Sequence, residues 1–130
     1  MFIRVYAQLP TVEEKTKDLK AFPGFFNFYW DAHTGKIWLE ISRLDSEVLY
    51  QPSLPGALGS NDIGLDRGLL GDGVIVKFTR VGNKVLMIQP NYDYRAVTGS
   101  AGEKRAVEES FARSTLWGFT AEAETKGAVL

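Results

Sequence analysis

Apolar and polar residues alternate most regularly over Val74–Val81 and Lys84–Gln89. In VIVKFTRV, Val74, Val76 and Phe78 fall on one face, and KVLMIQ follows after Gly82-Asn83. A period of two predicts two strands, and Gly82-Asn83 fits a two-residue hairpin turn with positive φ. Lys36–Ile41 alternates as well, with Ile37, Leu39 and Ile41 on one side and Lys36, Trp38 and Glu40 on the other. The aromatic run FFNFYW at 25–30 reads as its partner strand, turned by Asp31-Ala-His-Thr-Gly35 through a loop of about five residues. EVLYQPS at 47–53 reads as a third strand that Pro52 ends or confines to an edge. Tyr92–Arg95 reads as a further extended segment.

The helical period appears twice. Thr11–Leu19 carries a capping-box spacing at Thr11 and Glu14, but Val12 and Leu19 make a thin apolar face, which predicts a surface helix. Ser100–Trp117 is the stronger segment, with Ser100 and Glu103 at the same spacing and opposite charges four apart at Lys104/Glu108, Arg105/Glu109 and Glu109/Arg113. Val107, Phe111 and Ser114 share its face, Leu116 and Trp117 thicken its carboxyl end, and Gly118 is placed to stop it. Phe119–Glu124 alternates as a last strand, and Ala128-Val129-Leu130 reads as the opening of another, which suggests a truncated chain. The expected fold is mainly β: one domain with an antiparallel sheet of about six strands and one substantial helix.

Six of the chain's 13 glycines lie in LPGALGSNDIGLDRGLLGDG at 54–73. That density predicts backbone positions with positive φ or close approach by another backbone. Leu58, Ile63, Leu65, Leu69 and Leu70 are interleaved, so the segment reads as an ordered loop and not a linker. Asn61, Asp62, Asp66 and Arg67 are its candidate binding residues, because ordered loops concentrate such groups. The plainer reading is a crossover whose Asn, Asp and Gly serve its own turns.

The 130 residues carry 15 Lys+Arg against 16 Asp+Glu, a balance that gives no reason to expect nucleic acid or an anionic membrane as partner. No apolar run reaches the ~20 residues of a membrane span. The apolar part of MFIRVYAQLP is shorter than a signal-peptide core. With no cysteine there is neither disulfide nor thiolate chemistry. His33 is the single histidine and HExxH is absent, so no metal site and no cofactor are expected. Asp62 and Asp66 do not follow the calcium-hand spacing, and no GxxxxGK[ST] phosphate loop occurs. The aromatics of the first hairpin, Tyr29, Trp30 and Trp38 above all, are the other candidate site. They suit a contact with another domain, a second copy, or a stacked ligand.

Several stretches resemble a known family. TVEEKT at 11–16, GFFNFYWDAHTGKIWLEI at 24–41, LGSNDIGLDRG at 58–68, VGNKVLMIQPNYDYRA at 81–96 and EKRAVEESFARSTLWGF at 103–119 are similar to the β-rich domain ahead of the catalytic domain in bacterial zinc-dependent metalloproteases. The resemblance implies an exported, periplasmic or secreted protein whose HExxH motif lies in a separate downstream domain. No zinc ligand or catalytic glutamate carries over, because no position here matches one. The expectation is a non-catalytic accessory domain that contacts the protease domain and self-associates when isolated. The alternatives are a stand-alone small-ligand- or peptide-binding module using the aromatic hairpin, and a hydrolase using Asp62 and Asp66.

Overall fold

A computed structural model describes residues 8–56, 68–92, 97, 99–110 and 113–130, with backbone alone at 108–110. Its helices are α1 (Val12–Thr16) and α2 (Ala101–Ser110). The strands are β1 (Lys20–Phe22), β2 (Phe28–Asp31), β3 (Lys36–Leu39), β4 (Glu47–Tyr50), β5 (Val74–Val81), β6 (Lys84–Gln89), β7 (Ser114–Thr120), β8 (Glu124–Thr125) and β9 (Ala128–Val129). The protein is mainly β, with antiparallel sheets and one helix longer than two turns among the described residues. The strands form three sheets, ordered β1-β2-β3, β4-β5-β6-β7 and β8-β9.

The chain divides into two compact units. The first comprises Met1–Ser46, Phe78–Leu86 and Gly118–Leu130. It opens on α1, whose capping box forms as its spacing predicts: the Thr11 hydroxyl accepts from the Glu14 amide at 3.1 Å, and the Glu14 carboxylate accepts from the Thr11 amide at 2.9 Å. The helix is shorter than its sequence pattern and is not a surface element. Val12 and Thr16, four apart, are both buried. Val12 packs with Ala123 and Leu130, and Tyr29 and Trp38 close over them. Two inward positions suffice because the helix makes one turn and then bends into β1, with Leu19 N–H donating to the Thr16 carbonyl at 2.9 Å.

β1 had no sequence signal, since KAF is too short to show a period. It pairs with β2 through Phe22↔Phe28 and Lys20↔Trp30, and β2 pairs with β3 through Tyr29↔Trp38 and Asp31↔Lys36. The turn holds four residues, Ala32–Gly35. Asp31 fastens it by accepting from the His33 amide (3.0 Å), the Thr34 amide (3.2 Å) and the Thr34 hydroxyl (2.7 Å). Ala121 and Ala123, both buried, follow β7, and β8-β9 turns at Gly127 with φ +78°. Ala128-Val129, read as an opening strand, is the second arm of this small hairpin.

The second unit comprises Glu47–Lys77 and Met87–Trp117. β4 pairs with β5 from Glu47↔Lys77 to Tyr50↔Val74, and Val76, Met87 and Ile88 are buried. Pro52 does lie beyond the end of β4, an edge strand of its sheet among the described residues. The ends of the glycine-rich segment meet in a short stem. Ser53 bridges Leu70, Leu54 N–H donates to the Leu69 carbonyl at 3.0 Å, and Gly71 N–H donates to the Pro52 carbonyl at 2.8 Å. A Cβ at Gly71 would stand 2.8 Å from Pro52 Cγ, so this position requires glycine.

The predicted helix over 100–117 is corrected at its carboxyl end. α2 covers Ala101–Ser110, and Ser114–Trp117 belong to β7. Among residues 101–107 of α2 none is buried, so no packed face extends the helix. Thr, Trp and Phe in STLWGFT favour strand, and Gly118 lies inside that strand instead of capping a helix.

Candidate functional site

Within the first unit the alternation of β3 creates two unlike faces. Trp38 and Glu40 turn toward the α1 side, where Tyr29 donates its hydroxyl to Glu40 Oε2 at 2.7 Å and Asn27 Nδ2 donates to the same oxygen at 3.2 Å. The hydrogen bond to Glu40, and then partial burial, push the Tyr29 phenol pKa upward. Lys15 Nζ lies 4.8 Å and Lys36 Nζ 5.7 Å from the Trp38 ring centroid, within cation–π range. Trp38 Nε1 is buried and has no hydrogen-bond partner among the described residues.

Ile37, Leu39 and Ile41 define the other face. They line an apolar groove of about 310 Å³ together with Phe78, Val85 and Phe119. Ile41, Phe78 and Val85 are buried, whereas Ile37 is 65% exposed, Leu39 39% and Phe119 43%. The groove therefore grades from core into an open apolar surface. Exposed apolar side chains grouped beside buried ones mark contact sites more often than single exposed residues do.

The backbone of β3 adds a second property. Glu40 N–H donates to the Asn27 carbonyl at 2.9 Å, so Glu40, Trp38 and Lys36 use their backbone groups toward β2. Ile37, Leu39 and Ile41 consequently face the opposite edge. Ile41 is paired there: its N–H donates to the Val129 carbonyl at 2.7 Å, and Val129 N–H donates to the Ile41 carbonyl at 3.0 Å. Ile37 and Leu39 have no backbone partner on that edge among the described residues.

Of the sequence candidates, Tyr29 and Trp38 are brought together as a cross-strand pair over Val12, Ala123 and Leu130. Trp30 lies on the other face of β2, paired with Ile37 and beside Phe28, whose ring stacks on Phe22 at 4.7 Å. Asn61, Asp62, Asp66 and Arg67 lie outside the described residues, and the structure presents only the stem that carries them. The groove residues Ile37, Leu39 and Phe119 were not singled out from sequence. Their available signal was that β3 sets the large apolar Trp38 opposite its Ile37–Leu39 face, which one buried face does not require.

The second unit holds a hollow of about 370 Å³ lined by Val74, Gln89, Asn91, Tyr92 and Ser114 among others. None of the described side chains that line it is charged at neutral pH. Among the described residues no three His, Asp or Glu side chains gather as a metal ion would need, and no helix is long and apolar enough to cross a membrane. No protein-family model, curated protein or solved structure matches the chain.

Proposed function

We propose that the chain is a non-catalytic interaction domain, and that the zinc-metalloprotease catalytic domain implied by the resemblance is its partner. One observation carries this reading: the groove of the first unit runs from buried Phe78 and Val85 to exposed Ile37, Leu39 and Phe119. Such a surface loses unfavourable water contact when a partner covers it, at roughly 25 cal/mol per Å² of apolar area. Without the partner, self-association is the expected behaviour of the isolated chain. The test is sedimentation velocity of the chain mixed with an HExxH catalytic domain from the resembling family. The expected result is a one-to-one complex that Leu39→Asp abolishes; free components at every concentration ratio would refute the reading.

A second reading is a small-ligand or peptide module on the aromatic hairpin. It is favoured by the stacked Phe22–Phe28 pair and Trp30, 38% exposed, on one face of the β1-β2-β3 sheet. Planar or sugar ligands quenching tryptophan fluorescence, with the effect lost in Trp30→Ala, would support it.

A further inference from the structure

We infer that β3 receives an additional strand: an extended apolar segment of a partner polypeptide pairs along its outer edge, in line with β9. This inference rests on the interaction-domain reading and specifies the partner's chemistry. The Ile41–Val129 pair, bonded in both directions at 2.7 and 3.0 Å, is the first rung of a ladder on that edge. Antiparallel alternation puts the next two rungs at Leu39 and Ile37, whose outward N–H and C=O groups have no backbone partner among the described residues. The edge thus already holds one strand residue and offers two more positions of the same kind. That continuity selects an extended segment over a helix or a flat protein surface.

The register fixes what the segment carries. It runs antiparallel to β3, as β9 does at Ile41. Side chains directly opposite one another share a face, so those opposite Leu39 and Ile37 fall on the groove side, beside Phe78, Val85 and Phe119. They must be apolar. The residue opposite Lys36 meets an exposed ammonium group and is best acidic. The recognised pattern is apolar–any–apolar–acidic, with main-chain bonds supplying affinity and the alternate side chains specificity. Lys36 is the one charge within Lys36–Leu39, so the edge is lightly guarded against pairing.

The probe is the peptide acetyl-Val-Thr-Val-Glu-Thr-amide, whose first valine falls opposite Leu39 and leaves Val129 in place at Ile41, titrated into isotope-labelled full chain and followed by NMR. Saturable shifts at the Ile37 and Leu39 amides are expected, with slowed hydrogen exchange at both. N-methylation of the two valine amides keeps the side chains and removes the rungs, so affinity should fall by about tenfold or more. Ile37→Pro deletes an outward donor at an edge position where proline is tolerated, and should abolish the shifts. If that variant unfolds, the methylated peptide still decides. Binding indifferent to methylation, absence of binding, or protection of both amides in concentrated free protein that dilution relieves would each overturn the inference. The last outcome assigns the edge to a second copy. A catalytic-domain complex that forms while both amides exchange freely would sink strand addition and leave the interaction reading intact. Peptide binding without any such complex would do the reverse.

Discussion

The hairpins β2-β3 and β5-β6 use their side chains in opposite ways. The second is aliphatic and holds five of the buried core residues: Val76, Phe78, Val85, Met87 and Ile88. The first is aromatic and has none within its strands, while Ile37 is 65% exposed. Hydrophobicity alone did not decide which hairpin became core. In β5, Val74, Val76 and Phe78 share one face with Arg80 exposed at its end, and Lys77 and Thr79 lie on the other, so burying that face strands no charge. In β3 Trp38 is half-buried on the α1 side, while Ile37 and Leu39 on the other face stay exposed. An apolar strand face left uncovered is suited to meeting something else.

The sharpest way to break this contrast is a pair of truncations. Val76→Ala, at a site 1% exposed, should lower unfolding free energy by about 2–3 kcal/mol through lost transfer energy and a residual cavity. Ile37→Ala should stay within about 0.5 kcal/mol, because its side chain is already wet. Urea denaturation measures both, and equal losses would mean that the first hairpin is core after all.

Glycine substitutions come next. Gly71→Ala should destabilise by about 1–3 kcal/mol, since its Cβ would overlap Pro52 Cγ in the stem. Gly82→Ala meets open space but must adopt φ +61°, for roughly 1–2 kcal/mol. A neutral Gly71→Ala would show that the stem yields freely.

Smaller still is the Tyr29–Glu40 bond. Because the phenol pKa is raised in the folded chain, its contribution is fully present below the ordinary tyrosine pKa of about 10 and is lost as pH climbs through the higher folded value. Tyr29→Phe should therefore flatten the alkaline end of the stability–pH curve, and an unchanged curve would remove the bond from the account. Asp31→Ala should give the least effect, a loosened turn with a small fall in Tm. Its carboxyl is held below the usual range by the Thr34 hydroxyl and then by the Thr34 and His33 amides. That contribution is present above the ordinary aspartate pKa and fades as pH drops through the folded one.

Local chemistry made part of the fold readable. Thr11 and Glu14 announced a cap, Gly82 a turn and Pro52 the end of β4, because each acts within a few residues of itself. Reading failed where distant packing chose the outcome. Val12 looked like part of a thin surface stripe, but Ala123 and Leu130, far along the chain, bury it. Ser114–Trp117 read as the carboxyl end of a helix whose charge pairs stop at Arg113, yet its own β-favouring residues joined it to a sheet. The aromatic half of the candidate site was visible in composition. The groove was not, since Ile37, Phe78 and Phe119 converge only after three separate segments have assembled.

The Thr125 hydroxyl accepts from the Val12 amide at 3.0 Å and donates to Glu13 Oε2 at 2.8 Å, across 113 and 112 positions of sequence. This one side chain ties the folding of α1 to the arrival of residues from the far end of the chain. Closing so long a loop is entropically unfavourable, and contacts of such separation slow folding relative to local hairpins. During synthesis the β5-β6 turn can form as soon as it emerges, whereas the core around Val12 must wait until Ala123–Leu130 have left the ribosome. The nascent chain therefore passes through an interval in which Val12, Tyr29 and Trp38 lack their native cover. In that interval the first unit exposes apolar surface, and its core closes only once Ala123–Leu130 have been made, however fast the hairpins form.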